Sequence, residues 1–122
     1  MDRLRKQVEQ LKELERRYCD SLRRELVLVA GSGKIWASQY LYHKWRFAAS
    51  GRSKKTRATK ELERFEKDIL TLRGKLGQPA HSGPVGIIQE WTELISGLSE
   101  DGDHRAFAKR ALERLSAEDA AI

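Results

Sequence analysis

Residues 56–77 read TRATKELERFEKDILTLRGKLG, and their spacing decides the fold. Ala58, Leu62, Phe65, Ile69, Leu72 and Leu76 recur at steps of four, three, four, three and four. That alternation holds one apolar stripe on a single side of a helix, because 3.6 residues complete a turn. The stretch predicts a helix over residues 56–76. Gly77 and Pro79 end it, since glycine accepts the left-handed capping conformation and proline cannot extend a helix.

Upstream, Leu4, Val8, Leu11, Tyr18, Leu22 and Val29 follow the same steps, with Glu15 and Glu25 in two of the gaps. These residues predict a long amphipathic helix over residues 1–30. Its narrow stripe suits a coiled-coil seam or one layer of a bundle. Two glutamates in the seam weaken a simple dimer, so packing against the rest of the chain is an equal alternative. Gly31, Ser32 and Gly33 break this helix, because glycine is costly in a helix interior. A second helix is expected over residues 34–50, stopped by Gly51, and residues 51–60 (GRSKKTRATK) form a polar, basic linker. Downstream, Ser82 before Pro84 marks a helix start. Val85, Ile88, Trp91, Ile95 and Leu98 give one apolar face over residues 84–98, widened by Ile87 and Leu94. A last helix over 103–116 is capped by Asp103 and carries Phe107, Ala108, Ala111, Leu112 and Leu115. The tail after Ser116 is expected to fray. The reading is an all-α chain of about five helices: a long N-terminal amphipathic helix plus a compact helical bundle, one domain over residues 1–122.

Composition agrees. Charged residues make up 34% of the chain, above the roughly 25% of an average domain, which suits solvated helices. Val and Ile are scarce, leaving little for a sheet. The single Cys19 rules out an internal disulfide and points to a reducing compartment. MDRLRKQVEQ has no apolar leader core, and the longest apolar run, residues 26–30, cannot span a bilayer. The expected location is cytoplasmic, or nuclear in a eukaryote, with no membrane partner.

Most chemical motifs fail on inspection. Ala30-Gly31-Ser32-Gly33-Lys34 resembles the end of a phosphate loop, but position 28 is leucine where such a loop needs glycine. Position 35 is isoleucine where it needs a magnesium-binding hydroxyl. His43, His81 and His104 lie far apart, so no metal site is expected. Cys19, beside the seam of a charged helix, reads as structural. Glu100, Asp101 and Asp103 lack calcium-loop spacing and read as a turn before a cap. Glu90 and Glu93 read as surface residues. The sequence predicts no catalytic residues, no metal and no cofactor.

One segment remains. Residues 26–60 contain no Asp or Glu, while Lys34, Lys44, Arg46, Arg52, Lys54, Lys55, Arg57 and Lys60 carry positive charge. The whole chain has a net charge of +6, so the charge is segregated. Trp36, Tyr40, Tyr42, Trp45 and Phe47 lie in the same segment. Their simplest role is core, yet one or two rings beside cations could stack on bases. The expectation is a non-enzymatic protein that binds nucleic acid, RNA or DNA unresolved, as a small subunit of a nucleoprotein assembly. Lys44, Arg46, Arg52, Lys54, Lys55, Arg57 and Lys60 would meet phosphates, and Trp36, Tyr40 or Trp45 would stack. Such contacts read little sequence. The alternative is a helical adaptor or structural protein that self-associates, or binds an acidic protein, through its heptad seams.

Overall fold

A computed structural model of the chain describes residues 2–45, 56–80, 82–95 and 102–122. It is all-α: α1 (Asp2–Ser32), α2 (Gln39–Trp45), α3 (Arg57–Lys75), α4 (Pro84–Ile95) and α5 (Arg105–Ala121), with a 3-10 turn at Ile35–Ala37. No strand occurs among the described residues.

The long first helix is the central rod, packed mainly on α5 and α3. Both run antiparallel to it. His104, before α5, lies against Gly33 at the end of α1, while Asp119 near the end of α5 pairs with Arg23 at 3.1 Å. On the other side Arg73 of α3 meets Glu15, and Glu66 reaches Tyr18 through Tyr40. The stripe Leu11, Tyr18, Leu22 and Val29, joined by Cys19 and Leu26, is buried against Leu62, Ile69 and Leu72 of α3 and Ala108, Ala111 and Leu115 of α5. Val85, Ile87 and Ile88 of α4 complete the same core. The seam from Leu11 to Val29 is thus consumed within the chain, and Leu4, beyond the bundle, stays exposed.

Local chemistry sets the ends. The sequence reading stopped α1 before Gly31, but the helix continues through Ser32. Gly31 has open space around it, and Gly33 takes the left-handed cap at φ 77°. Its amide bonds the Val29 carbonyl at 2.7 Å. One glycine in a last helical turn costs about 1 kcal/mol, and the helix runs through it to the left-handed cap at Gly33. The continuous helix expected from residue 34 is instead a 3-10 turn and then α2. Ser38 divides them: its hydroxyl accepts from the Leu41 amide at 3.1 Å, an N-cap that restarts the chain as a new helix. Residues 46–55 lie outside the described residues, so the rest of that expected helix, the Gly51 stop and most of the basic linker do too. The structure moves Arg57–Lys60 out of the linker and into the first turn of α3, which Thr56 caps. Gly77, at φ 69°, closes α3: the Gln78 amide bonds the Arg73 carbonyl and the Gly77 amide bonds Gly74. Thr59, not Ala58, takes the buried position at the start of that seam. The last helix does not fray after Ser116. It reaches Ala121 because Asp119 is tied to Arg23 and Ile122 packs on the core. Side chains 91–95 and residues 96–101 fall outside the described residues, and with them the end of the expected 84–98 face.

The two seam glutamates each find a partner in the chain. Glu25, buried, accepts a hydrogen bond from the Ser38 hydroxyl. Glu15 takes the Arg73 guanidinium at 2.7 Å, and Arg73 also donates to Ser82 Oγ at 2.6 Å and to Gln78 and the Pro79 carbonyl. Gly83, at φ 71°, passes so close that a Cβ there would lie 2.6 Å from Arg73 Nη2.

Removing one partner of this pair strands the other, so Glu15→Ala or Arg73→Ala should each cost about 3–5 kcal/mol in urea unfolding. The double replacement Glu15→Leu, Arg73→Met should cost clearly less than the two single changes combined. Burial raises the Glu25 carboxyl above its ordinary range, against the Ser38 bond that lowers it. An acid raised in the folded state stabilises below its unfolded pKa and loses that contribution as pH rises through its folded one. Glu25→Gln keeps an acceptor for Ser38 and should raise Tm at pH 7, an advantage that fades as pH falls into the range where Glu25 protonates.

Candidate functional site

The residues singled out in the sequence separate in three dimensions. Tyr40 is fully buried. Its hydroxyl donates to Glu66 Oε2 at 3.0 Å, so the Tyr18 hydroxyl, 3.1 Å away, must donate to Tyr40. Burial, and then the nearby Glu66 charge, pushes the Tyr18 phenol above its usual range; burial and both of these neighbours do the same to Tyr40. A base cannot reach this ring, and the stacking role considered for Tyr40 is corrected to a core hydrogen-bonded role. Lys44 sits over the Tyr40 ring at 5.6 Å and pairs with Glu66 at 2.8 Å. Much of its charge is therefore met inside the protein. Trp36, on the 3-10 turn, is 56% exposed. Arg46, Arg52, Lys54, Lys55 and the side chain of Trp45 fall outside the described residues.

Arg57 and Lys60 are exposed on α3, and the helix extends what they begin. At 100° per residue, Arg57, Lys60, Arg64, Lys67, Thr71 and Lys75 share one outward stripe, opposite Leu62, Ile69 and Leu72. All six are exposed. Among the described residues, none of Arg57, Lys60, Arg64 and Lys67 has a carboxylate within ion-pair distance. Arg57 and Lys60 also occupy the first turn, where the helix dipole favours acids and none is present. Arg57 and Lys60 are therefore unfavourably placed for the stability of their own helix. Arg64 and Lys67 escaped the sequence reading because acids 61, 63, 66 and 68 surround them in the chain and hide the stripe. Helical spacing of three, four and three from Arg57 was the signal.

The remaining motifs resolve into structure. The amides that a phosphate loop would offer are engaged: Gly33 with Val29, Lys34 with Ser32 Oγ, and Ile35 with His104 Nδ1. Residues 26–29 are helical, not a strand. His104 therefore carries its proton on Nε2, which is buried and finds no partner among the described residues. α5 begins at Arg105 with His104, not Asp103, at its N-cap, and Asp103 Oδ1, one position earlier, accepts from the Arg105 amide at 3.0 Å. Glu90 binds Arg114 of α5 in a two-pronged pair that ties α4 down. No group of three potential metal ligands occurs among the described residues, and no helix there is long and apolar enough to cross a membrane. A cleft of about 300 Å³ is lined by the paired Glu15 and Arg73 together with Lys12, Glu118 and apolar residues of α1 and α5. Val27, Leu28 and Trp36 are the exposed large apolar side chains near the end of α1. The chain matches no protein-family model, no curated protein and no solved structure.

Cys19 is buried, and burial first, then the neighbouring Asp119, pushes its thiol up to about 12. At pH 7.5 it should resist a thiol-alkylating reagent in the native protein and label fully in denaturant, as read by intact mass. Rapid native labelling would contradict the packing of α1 against α5.

Proposed function

We propose that this is a non-enzymatic helical protein that binds nucleic acid through the phosphate backbone, with little sequence preference, as a small subunit of a nucleoprotein assembly. One observation carries the reading: four exposed cations, Arg57, Lys60, Arg64 and Lys67, line the outward face of α3 with no ion-pair partner among the described residues. In sequence, Arg57 and Lys60 end the acid-free segment that also carries Arg52, Lys54 and Lys55 just before the helix. A surface charge with no internal partner costs nothing to redirect to a phosphate, and each such contact releases a condensed counterion. The buried position of Tyr40 and the internal pairing of Lys44 move the emphasis from the aromatic helix to α3. The adaptor reading draws on a different observation, the exposed Val27, Leu28 and Trp36, which would suit a protein partner.

Fluorescence anisotropy with labelled oligonucleotides over a salt series tests the reading. Affinity should fall steeply with salt, and Lys54→Ala, Lys55→Ala, Arg57→Ala together should flatten the log–log slope by about 2–3. Absence of binding at low salt to any oligonucleotide overturns the reading and favours the adaptor.

A further inference from the structure

Resting on the nucleic-acid reading, we infer that the α3 stripe is a duplex-binding face: it lies along the phosphates of double-stranded nucleic acid and does not cradle a single strand. Three observations point the same way.

The stripe is straight and rigid. With a rise of 1.5 Å per residue, Arg57 to Lys67 covers about 15 Å and Arg57 to Lys75 about 27 Å of one helix face. A duplex presents its phosphates in a comparably fixed array, so neither partner has to be ordered on contact. A single strand would have to be straightened along the helix, at a cost in chain entropy.

Nothing on the stripe offsets that cost. Proteins that hold single strands combine a cationic groove with rings on which bases stack. The exposed residues of α3 include no aromatic; Phe65 is half-buried, packed against the core. Tyr18 and Tyr40 are buried, Tyr42 is half-buried, and Trp36 belongs to the turn after α1. The α3 face is also the convex side of a helix, not a groove.

The flanks of the stripe set its depth. Glu61 and Asp68 lie along one edge by helical position and Glu63 along the other. A helix pushed into a major groove would press these carboxylates toward the two phosphate walls. One resting across the backbone presents only the cations. The face therefore contacts phosphates without reaching base edges, which is why sequence should matter little.

The test uses the full chain with mixed-sequence duplex DNA, duplex RNA and the corresponding single strands of equal length, from low to moderate salt. The expected result is tighter binding to one or both duplexes than to single strands, by roughly tenfold or more, since the α3 stripe offers no ring on which bases could stack. The four α3 contacts should contribute about −3.6 to the duplex slope of log K against log salt. Arg64→Ala with Lys67→Ala should halve that contribution, making the slope shallower by about 1.8. Both residues are solvent-exposed, so this variant should retain the parent circular dichroism. Lys109→Ala with Arg110→Ala, equally exposed but on α5, should leave the slope unchanged. DNA against RNA preference identifies the source of the duplex. Single strands bound as tightly as duplexes, or a slope untouched by the α3 variant, would overturn the inference while leaving nucleic-acid binding intact. No binding to any of the four probes would instead overturn the reading on which it rests.

Discussion

A buried ion pair organises this fold. Glu15 stands where the seam of α1 calls for an apolar side chain, and Arg73 stands at the inner edge of α3. Burying either alone would be prohibitive; paired, each offsets part of the other's desolvation, and Arg73 Nη1 donates to Ser82, Gln78 and the Pro79 carbonyl, while its buried Nε finds no partner among the described residues. One side chain thereby fixes the register of α3 on α1 and the path of the turn leading into α4. Gly83 is required where it is because any side chain would collide with that guanidinium. Desolvation still dominates at Glu15, which raises its carboxyl above the ordinary range despite the arginine. The pair buys geometry more than stability.

The same logic recurs in smaller form along α1. Glu25 bonds the Ser38 hydroxyl, which in turn caps α2. Tyr18 donates to Tyr40, Tyr40 to Glu66, and Lys44 closes the chain from outside. Each polar side chain on the inner face of the rod is answered by a residue of a different element. A coiled-coil dimer built on this seam would have to break those bonds, which is a physical reason for the seam to be filled from within the chain.

The cations of α3 are the counterpart on the surface. Where the protein needs a charge for folding, it pairs it: Arg23 with Asp119, Arg73 with Glu15, Arg114 with Glu90, Lys44 with Glu66. Arg57, Lys60, Arg64 and Lys67, like Arg3, Arg5, Arg16, Arg24, Lys109 and Arg110, have no ion-pair partner among the described residues, but of these they alone line one face of α3, and two of them sit where the helix dipole disfavours them. Charges retained against local stability are the best candidates for an external partner.

The long helices were legible in the sequence because each rests on local periodicity: the 56–76 stripe and the α1 seam act within a few residues, whereas the break at Ser38, set by a side-chain cap, was not. The segregation of charge was legible for the same reason. The site was only half legible. The sequence marked Arg57 and Lys60 but passed over Arg64 and Lys67, which become neighbours only when the chain is wound at 3.6 residues per turn. It could not rank Trp36 against Tyr40, because exposure depends on what the rest of the chain brings to each ring. Nor could it choose between a dimer seam and internal packing for α1. That choice was made by Glu15 meeting an arginine fifty-eight positions away, a contact that no local pattern encodes and only the assembled fold supplies.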